Sequence, residues 1–169
     1  PSLKSKKEQA IGYYWQGKAY LAIEDWQAAR QSFTLGLGRW KKSLLNQAGL
    51  ANALFQQGEE DAAREALTIS QQLFAKQNGL EEHLALGEAC LAGSRQDEEL
   101  RKRGKKYFYE ARLAFPDDYR PDWALANYYE KIEVWELARE ELDKVLELRP
   151  DYAPALVKMA RVLMEMEEW

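Results

Sequence analysis

The sequence has little of the chemistry that most enzymes use. It contains one cysteine, Cys90, and one histidine, His83, among 169 residues. A single cysteine excludes a disulfide bond within the chain, and it does not indicate whether the protein works in an oxidising or a reducing compartment. A single histidine argues against histidine-based catalysis and against metal sites, which draw on several His or Cys ligands. No apolar run approaches the roughly 18 residues that a bilayer-spanning helix needs.

No charge of one sign dominates. The net charge is -4, so the balance argues against nucleic acid as the main partner. Hydrophobic residues make up 46% and charged residues 31%, with a mean hydropathy of -0.61, which excludes wholesale disorder and a membrane protein. The start of the chain has charge but no apolar stretch of a secretory signal. Cytoplasm and bacterial periplasm both remain compatible with this composition.

Proline is scarce and helical periodicity is widespread. Five prolines leave long uninterrupted stretches, and apolar residues recur at i, i+3 and i+4 spacing, as in Ile11, Tyr14 and Trp15. Helix stops fall near Gly36, Gly58, Asn78-Gly79, Gly93-Ser94 and Arg149-Pro150. The pattern predicts an all-α protein of roughly nine helices.

An internal repeat of about 34 residues sets the expected architecture. One small-residue site recurs at Gly17, Ala51, Gly87, Ala126 and Ala160, and a second recurs at Ala29, Ala63, Gly104 and Ala138. Large residues follow both sites at constant distances, so paired helices should approach closely at the small residues and fill the gaps with the large ones. Stacking of such hairpins would supply the core.

These repeats resemble the tetratricopeptide repeat (TPR) family. The fourth repeat carries the pattern best, with Ala126, Tyr129, Trp135, Ala138 and Leu142 before Pro150. The resemblance implies an α-α superhelix, a TPR-like solenoid of about four helix-turn-helix repeats and one half repeat. The expected parts of this single solenoid domain are an N-terminal extension or linker (1–9), repeat 1 (10–43), repeat 2 (44–79), repeat 3 with an insertion near 93–100 (80–118), repeat 4 (119–152) and a truncated repeat 5 (153–169).

Tryptophan marks one repeat site. Trp26, Trp135 and Trp169 stand where the second helix of a hairpin begins, so Trp169 is expected to start a helix that the chain does not complete. We therefore interpret the sequence as a fragment of a larger repeat protein. The apolar face of the last helix would then be poorly covered and open to self-association; its members are Leu156, Met159, Leu163 and Met166.

The chemistry-bearing residues favour structural roles. His83 and Cys90 are expected to pack in the core, two helical turns apart. Gly36 and Gly38 do not follow a strand, so they are not a phosphate-binding fingerprint. We expect no catalytic residues, no metal site and no cofactor.

The run Arg101–Lys106 is the most basic segment, but its charges fan around a helix. We expect Asp97 to pair with Arg101 and Glu98 with Lys102, which favours a solvated helix over an RNA-binding surface. Lys and Arg exceed Asp and Glu by five in residues 1–43, and the reverse holds in residues 119–169. This asymmetry either favours head-to-tail association or is ordinary scatter.

By resemblance, the first helix of each hairpin lines a concave groove that binds a peptide or a segment of a protein partner. The positions that should face the groove, and that we predict to bind the partner, are Tyr14, Lys18, Asn52, Phe55, Gln56, Glu88, Trp123, Asn127, Lys131 and Arg161. Aromatic residues with amide and charged neighbours suit mixed apolar and polar recognition. The carboxylate clamp of some TPR proteins is not predicted, because Tyr14 and Glu81 replace the basic residues it needs.

The sequence thus predicts a non-enzymatic protein-interaction scaffold that takes no small-molecule substrate. Bacterial secretion, envelope assembly and polysaccharide export would each suit such a scaffold, as would a cytoplasmic adaptor. An oligomerisation module that acts through its end faces is the alternative, and an RNA-binding helical repeat is a third hypothesis.

Overall fold

The computed structural model describes residues 2–95 and 97–166, and within them the chain forms nine α-helices and no strand. The all-α class is therefore confirmed. The helices are α1 (Leu3–Ala22), α2 (Trp26–Arg39), α3 (Leu44–Gln57), α4 (Glu60–Phe74), α5 (Leu80–Ala92), α6 (Glu98–Ala114), α7 (Arg120–Lys131), α8 (Trp135–Leu148) and α9 (Ala153–Glu165).

Short side chains begin several of these helices. Ser2, Asp25 and Ser43 each accept a hydrogen bond from the backbone N–H three residues later. An N-cap of this kind typically contributes about 1 kcal/mol. Because α1 begins at Leu3, the residues predicted as an extension or linker form the first two turns of α1.

Three residues with positive φ mark the hairpin turns. Glu24 (φ 60°), Gly58 (φ 80°) and Glu133 (φ 58°) each lie seven residues after the first small site of their repeats. Only glycine adopts this left-handed conformation without a steric cost from Cβ. Repeats 1, 2 and 4 thus share this left-handed turn, whether glycine or glutamate occupies the position.

The tertiary contacts divide the chain into two compact units, residues 1–104 and 105–169. In the first unit α1 packs against α2, α3 packs against α4, and α3 also contacts α1, α2 and α5. The ring of Phe33 is fully buried in a slot between two glycines: a Cβ built on Gly17 or on Gly49 would lie 2.6 Å from its Cζ. The small-residue site at Gly17, together with Gly49 on α3, therefore admits an aromatic ring between helices.

In the second unit α7 and α9 both pack against α8. Leu125, Leu142, Val145 and Val162 are fully buried there. The small residues Ala126 and Ala138 are buried as the repeat predicts, whereas Ala160 on α9 is exposed. On α9, Leu156 and Met164 are exposed, while Met159, Leu163 and Met166 are half-buried, so the predicted apolar face is partly covered.

Some predictions fall outside the described residues. Trp169, with its predicted role as the start of a further helix, lies there, and so does Gln96 within the predicted insertion. Of the rest of the predicted insertion near 93–100, Gly93 follows α5 and the residues from Glu98 onward belong to α6.

Candidate partner-binding surfaces

The repeats align three polar residues on neighbouring first helices of the first unit. Lys18 on α1, Asn52 on α3 and Glu88 on α5 occupy equivalent positions, each directly after a small site. Lys18 Nζ forms an ion pair with Glu88 Oε2, and α3 packs against both α1 and α5. The two charged side chains, 27% and 33% exposed, thus link helices that lie on either side of α3.

Asn52 and Gln56 are half-buried on α3 between those helices. Within the described part of the chain neither side-chain amide has a hydrogen-bond partner. A half-buried amide without a hydrogen-bond partner loses part of its contact with water and receives no hydrogen bond in return. A peptide backbone offers both a donor and an acceptor to such an amide. The side-chain amides of Asn52 and Gln56 are therefore available to hydrogen-bond with a bound peptide.

Two of the predicted groove residues are instead buried. Tyr14 is 1% exposed, and its ring lies 5.1 Å from that of Trp15 and 6.2 Å from that of Phe33. Phe55 is 9% exposed and packs so close to Gly93 that a Cβ there would lie 2.6 Å from its ring. The expectation that these rings face the groove is wrong, because Tyr14 packs among neighbouring aromatic rings and Phe55 packs into the space that Gly93 leaves.

In the second unit, aromatic and charged groups meet between α7 and α9. The half-buried Trp123 contacts Tyr152 edge to face at 5.3 Å, and Lys158 Nζ lies 5.4 Å from the centre of the Trp123 ring. Lys158 and Arg161 both form ion pairs with Glu130. Burial lowers the pKa of Lys158 below its usual range.

The remaining predicted residues lie around this cluster. Asn127 is half-buried on α7, and its amide has no hydrogen-bond partner among residues 2–95 and 97–166. Lys131 is exposed at the end of α7, and the Arg161 side chain is 59% exposed despite its pairing. Trp123, Asn127 and Arg161 therefore present stacking, hydrogen-bonding and cationic groups on two helices that the ion pairs of Glu130 join.

Sequence reasoning missed Glu130 and Lys158. Glu130 stands at the repeat position that is apolar in the other repeats, as Leu21, Phe55 and Leu91. The sequence did contain a signal for this pair, since a carboxylate stands where the other repeats have an apolar residue. A buried charge needs a partner, so a cation nearby could have been expected. Lys158, only 15% exposed, supplies that partner from the next first helix.

A second cluster of ion pairs in the second unit, centred on Arg112, holds helices together. Arg112 on α6 forms ion pairs with Asp122 on α7 and Glu141 on α8, whose side chains are both 6% exposed. Burial raises the pKa of Asp122 despite Arg112. The carboxylates are occupied by Arg112 and nearly closed to solvent, so the group crosslinks three helices and offers no acid to a substrate.

His83 and Cys90 also lie within the packing. His83 Nδ1 lies 2.8 Å from the carbonyl oxygen of Gly79, and its ring meets Phe74 edge to face at 4.7 Å. Cys90 is fully buried, and burial raises the pKa of its thiol to about 12. Within the described residues no group of three or more His, Cys, Asp or Glu could hold a metal ion, and no helix could cross a membrane.

The basic run of α6 is paired differently from the expectation. Asp97 pairs with Arg64 on α4 at 2.9 Å, and Glu98 pairs with Arg101 at 2.6 Å. The expected Asp97–Arg101 and Glu98–Lys102 pairs are therefore wrong. Asp97 also caps α6 by accepting a hydrogen bond from the N–H of Leu100, so both of its carboxylate oxygens already have donors.

Comparison with known proteins identifies the fold. No family model and no curated protein sequence matches the chain. A thermophilic TPR protein of Thermus thermophilus is similar in structure, with a TM-score of 0.62 and 22% identity over 94% of this chain and 84% of that one. MamA is similar at a TM-score of 0.53 and 15% identity, over 95% and 84% of the two chains.

A third structure is similar over almost the whole chain. YrrB, described as a TPR protein with an unusual peptide-binding site, has a TM-score of 0.50 and 14% identity, over 98% of this chain and 82% of that one. At these identities the likeness concerns the fold alone. The chain therefore has the TPR fold, and the resemblance found in its sequence is confirmed.

Proposed function

We propose that this chain is a non-enzymatic protein-interaction module that binds an extended peptide or partner segment on the first helices of its hairpins. The observation that carries the proposal is the pair of half-buried amides, Asn52 and Asn127, at equivalent repeat positions and without hydrogen-bond partners in the described part of the chain. Such amides can bind the backbone of a peptide whatever its side chains are.

The surroundings of Asn127 support the proposal most strongly. Trp123 lies one helical turn before it, and Arg161 occupies the equivalent position on α9. Tryptophan and arginine are enriched among the few residues that carry most of the binding energy of protein interfaces. We therefore expect the α7 and α9 surface to contribute more affinity than the α3 surface, where Lys18 and Glu88 already pair with each other.

The experiment uses peptides selected for binding from a random library and dissociation constants measured by calorimetry. Asn127→Ala should weaken binding at least tenfold, equivalent to about 1.4 kcal/mol, and Trp123→Ala should weaken it further. Gln72→Ala is the matched control, because Gln72 is an exposed amide on the second helix α4. Unchanged affinity in both Asn52→Ala and Asn127→Ala would exclude the first helices as the binding surface.

The biological process that such a module would serve is a separate proposal. A part in bacterial secretion, envelope assembly or polysaccharide export is consistent with a peptide-binding module, and identification of the peptide's source would test it. An RNA-binding role predicts affinity that falls steeply with salt, so the same calorimetric titration with single-stranded RNA in low and high salt distinguishes the two ligands.

A further inference from the structure

The outer face of α1 is unusual in carrying both exposed apolar residues and cations without ion-pair partners in the described part of the chain. Leu3 is 63% exposed and Ile11 is 42% exposed, with the exposed Lys7 midway between them at i+4 spacing. Lys4 and Lys6 are also exposed in the same two turns. These residues form what we call the α1 face.

The C-terminal end of α2 extends this basic region. Lys7 Nζ lies 4.9 Å from the centre of the Trp40 ring, which brings the start of α1 beside Arg39, Lys41 and Lys42. All three cations are exposed, and none has an ion-pair partner among the described residues. Glu8 is the acid in this stretch of α1, so the α1 face and its neighbours keep a large positive excess.

Helix physics does not explain the lysines of α1. The N-terminus of a helix carries partial positive charge, so cations in the first turns are unfavourable. The first turn of α1 contains no acid, whereas that of α4 contains Glu60 and Asp61. The cations at the start of α1 are therefore better accounted for by an external anionic partner than by the helix itself.

A complementary surface lies on α8 of the same chain. Four exposed carboxylates follow i, i+4, i+7 and i+11 spacing along one side of the helix, and none has an ion-pair partner in the described part of the chain. This α8 stripe consists of Glu136, Glu140, Asp143 and Glu147. Leu137 and Leu148, which directly follow its first and last members, are 37% and 38% exposed.

The two surfaces match in charge and in apolar content. Each combines charges of one sign that have no ion-pair partner among the described residues with two exposed aliphatic side chains, the composition of a polar interface with a small apolar part. We propose that the α1 face of one copy of this chain docks on the α8 stripe of a second copy. Because the two surfaces are different, the contact is heterologous, and each copy keeps a free surface that can bind the next copy.

The test is sedimentation of the 169-residue chain in low salt and in high salt. The wild type should form concentration-dependent assemblies in low salt that dissociate in high salt, since surface charges are screened beyond about 10 Å at 0.1 M. Lys4→Glu/Lys6→Glu should weaken association at least tenfold, and so should Glu140→Lys/Asp143→Lys. Lys102→Glu/Lys105→Glu, on α6, is the matched control and should leave association unchanged.

Mixing the two reversed variants sharpens the test. Each variant alone should associate at least tenfold more weakly than the wild type, but the variant reversed on α1 keeps a native α8 stripe and the other keeps a native α1 face. An equimolar mixture should therefore associate more tightly than either variant alone, through the native α1 face of one variant and the native α8 stripe of the other. A wild type that stays monomeric at high concentration in low salt would overturn the proposal, as would a mixture that stays monomeric. Retention on anionic phosphatidylserine vesicles without self-association would overturn it in favour of a lipid partner.

Discussion

The slot that holds Phe33 makes a sharp prediction about glycine. Gly12 and Gly17 both lie inside α1, and replacement of glycine by alanine in a helix interior gains about 1 kcal/mol of helix propensity. A Cβ on Gly12 would meet no atom within 4 Å. We therefore expect Gly12→Ala to raise the free energy of unfolding by up to about 1 kcal/mol.

Gly17→Ala should have the opposite sign. Its Cβ would lie 2.6 Å from Phe33 Cζ, well inside ordinary van der Waals contact, and the ring is fully buried and cannot swing into solvent. Overpacking of a filled core typically costs roughly 1–3 kcal/mol, which exceeds or cancels the propensity gain. Gly49→Ala on α3 should behave in the same way, because its Cβ would meet the ring at the same distance.

The assay is thermal and urea unfolding followed by far-UV circular dichroism. A change of about 1 kcal/mol should shift the midpoint by roughly 2–4 °C in a chain of this length. Phe33→Leu should remove most of the penalty of Gly17→Ala in a double-mutant cycle, because the smaller side chain vacates the slot. If Gly17→Ala stabilised the protein as much as Gly12→Ala does, the proposed ring-in-slot packing would be refuted.

Three further predictions follow from individual residues. Cys90, with its thiol pKa raised to about 12, should react with a thiol reagent at about pH 8 no faster than the protein unfolds, and rapid labelling of native protein would contradict its burial. Glu133→Gly should raise the unfolding midpoint slightly and Gly58→Ala should destabilise the protein by about 1 kcal/mol, since both positions have positive φ. The hydrogen bond from Arg120 lowers the pKa of the Asp118 carboxyl group in the folded protein. The stabilisation by this carboxylate is therefore complete above the pKa that Asp118 has in the unfolded chain, and it is lost as the pH falls through the pKa of the folded state. Asp118→Asn should destabilise the protein at about pH 7 and have little effect at about pH 2, as measured by urea unfolding.

The repeat spacing predicted the fold because it reports on packing geometry directly. Small residues such as Ala29 and Ala63 are fully buried where helices approach, and their 34-residue spacing is visible in the sequence alone. The start of the second helix was located in two hairpins as well, because Trp26 and Trp135 mark that repeat position and begin α2 and α8. The left-handed conformation of Glu24 and Glu133 was not foreseen, because a glutamate carries no local signal for it and the repeat position imposes it.

The candidate site was less predictable, since exposure depends on the neighbour opposite each side chain. Tyr14 and Trp123 occupy equivalent repeat positions, yet Tyr14 is buried beside Phe33 and Trp123 is half-buried beside Lys158. Repeat position gives the direction of a side chain, while the size of the residue on the adjoining helix decides whether space remains for a ligand. Sequence reasoning without that neighbour cannot separate a core aromatic from a binding one.

The pairing of charges extends this argument from packing to function. Lys18 and Glu88 satisfy each other within the first unit, so a ligand that binds Asn52 must compete with or accommodate an existing ion pair. In the second unit Glu130 pairs with both Lys158 and Arg161, yet the Arg161 side chain remains 59% exposed, and the amide of Asn127 has no hydrogen-bond partner among the described residues. Lys18→Met/Glu88→Met should therefore strengthen peptide binding that depends on Asn52 and leave binding that depends on Asn127 unchanged. If calorimetric titrations showed the same increase in affinity for Asn52-dependent and Asn127-dependent binding, the Lys18–Glu88 pair would affect the whole chain. Such a result would refute a local effect of the pair on the Asn52 surface.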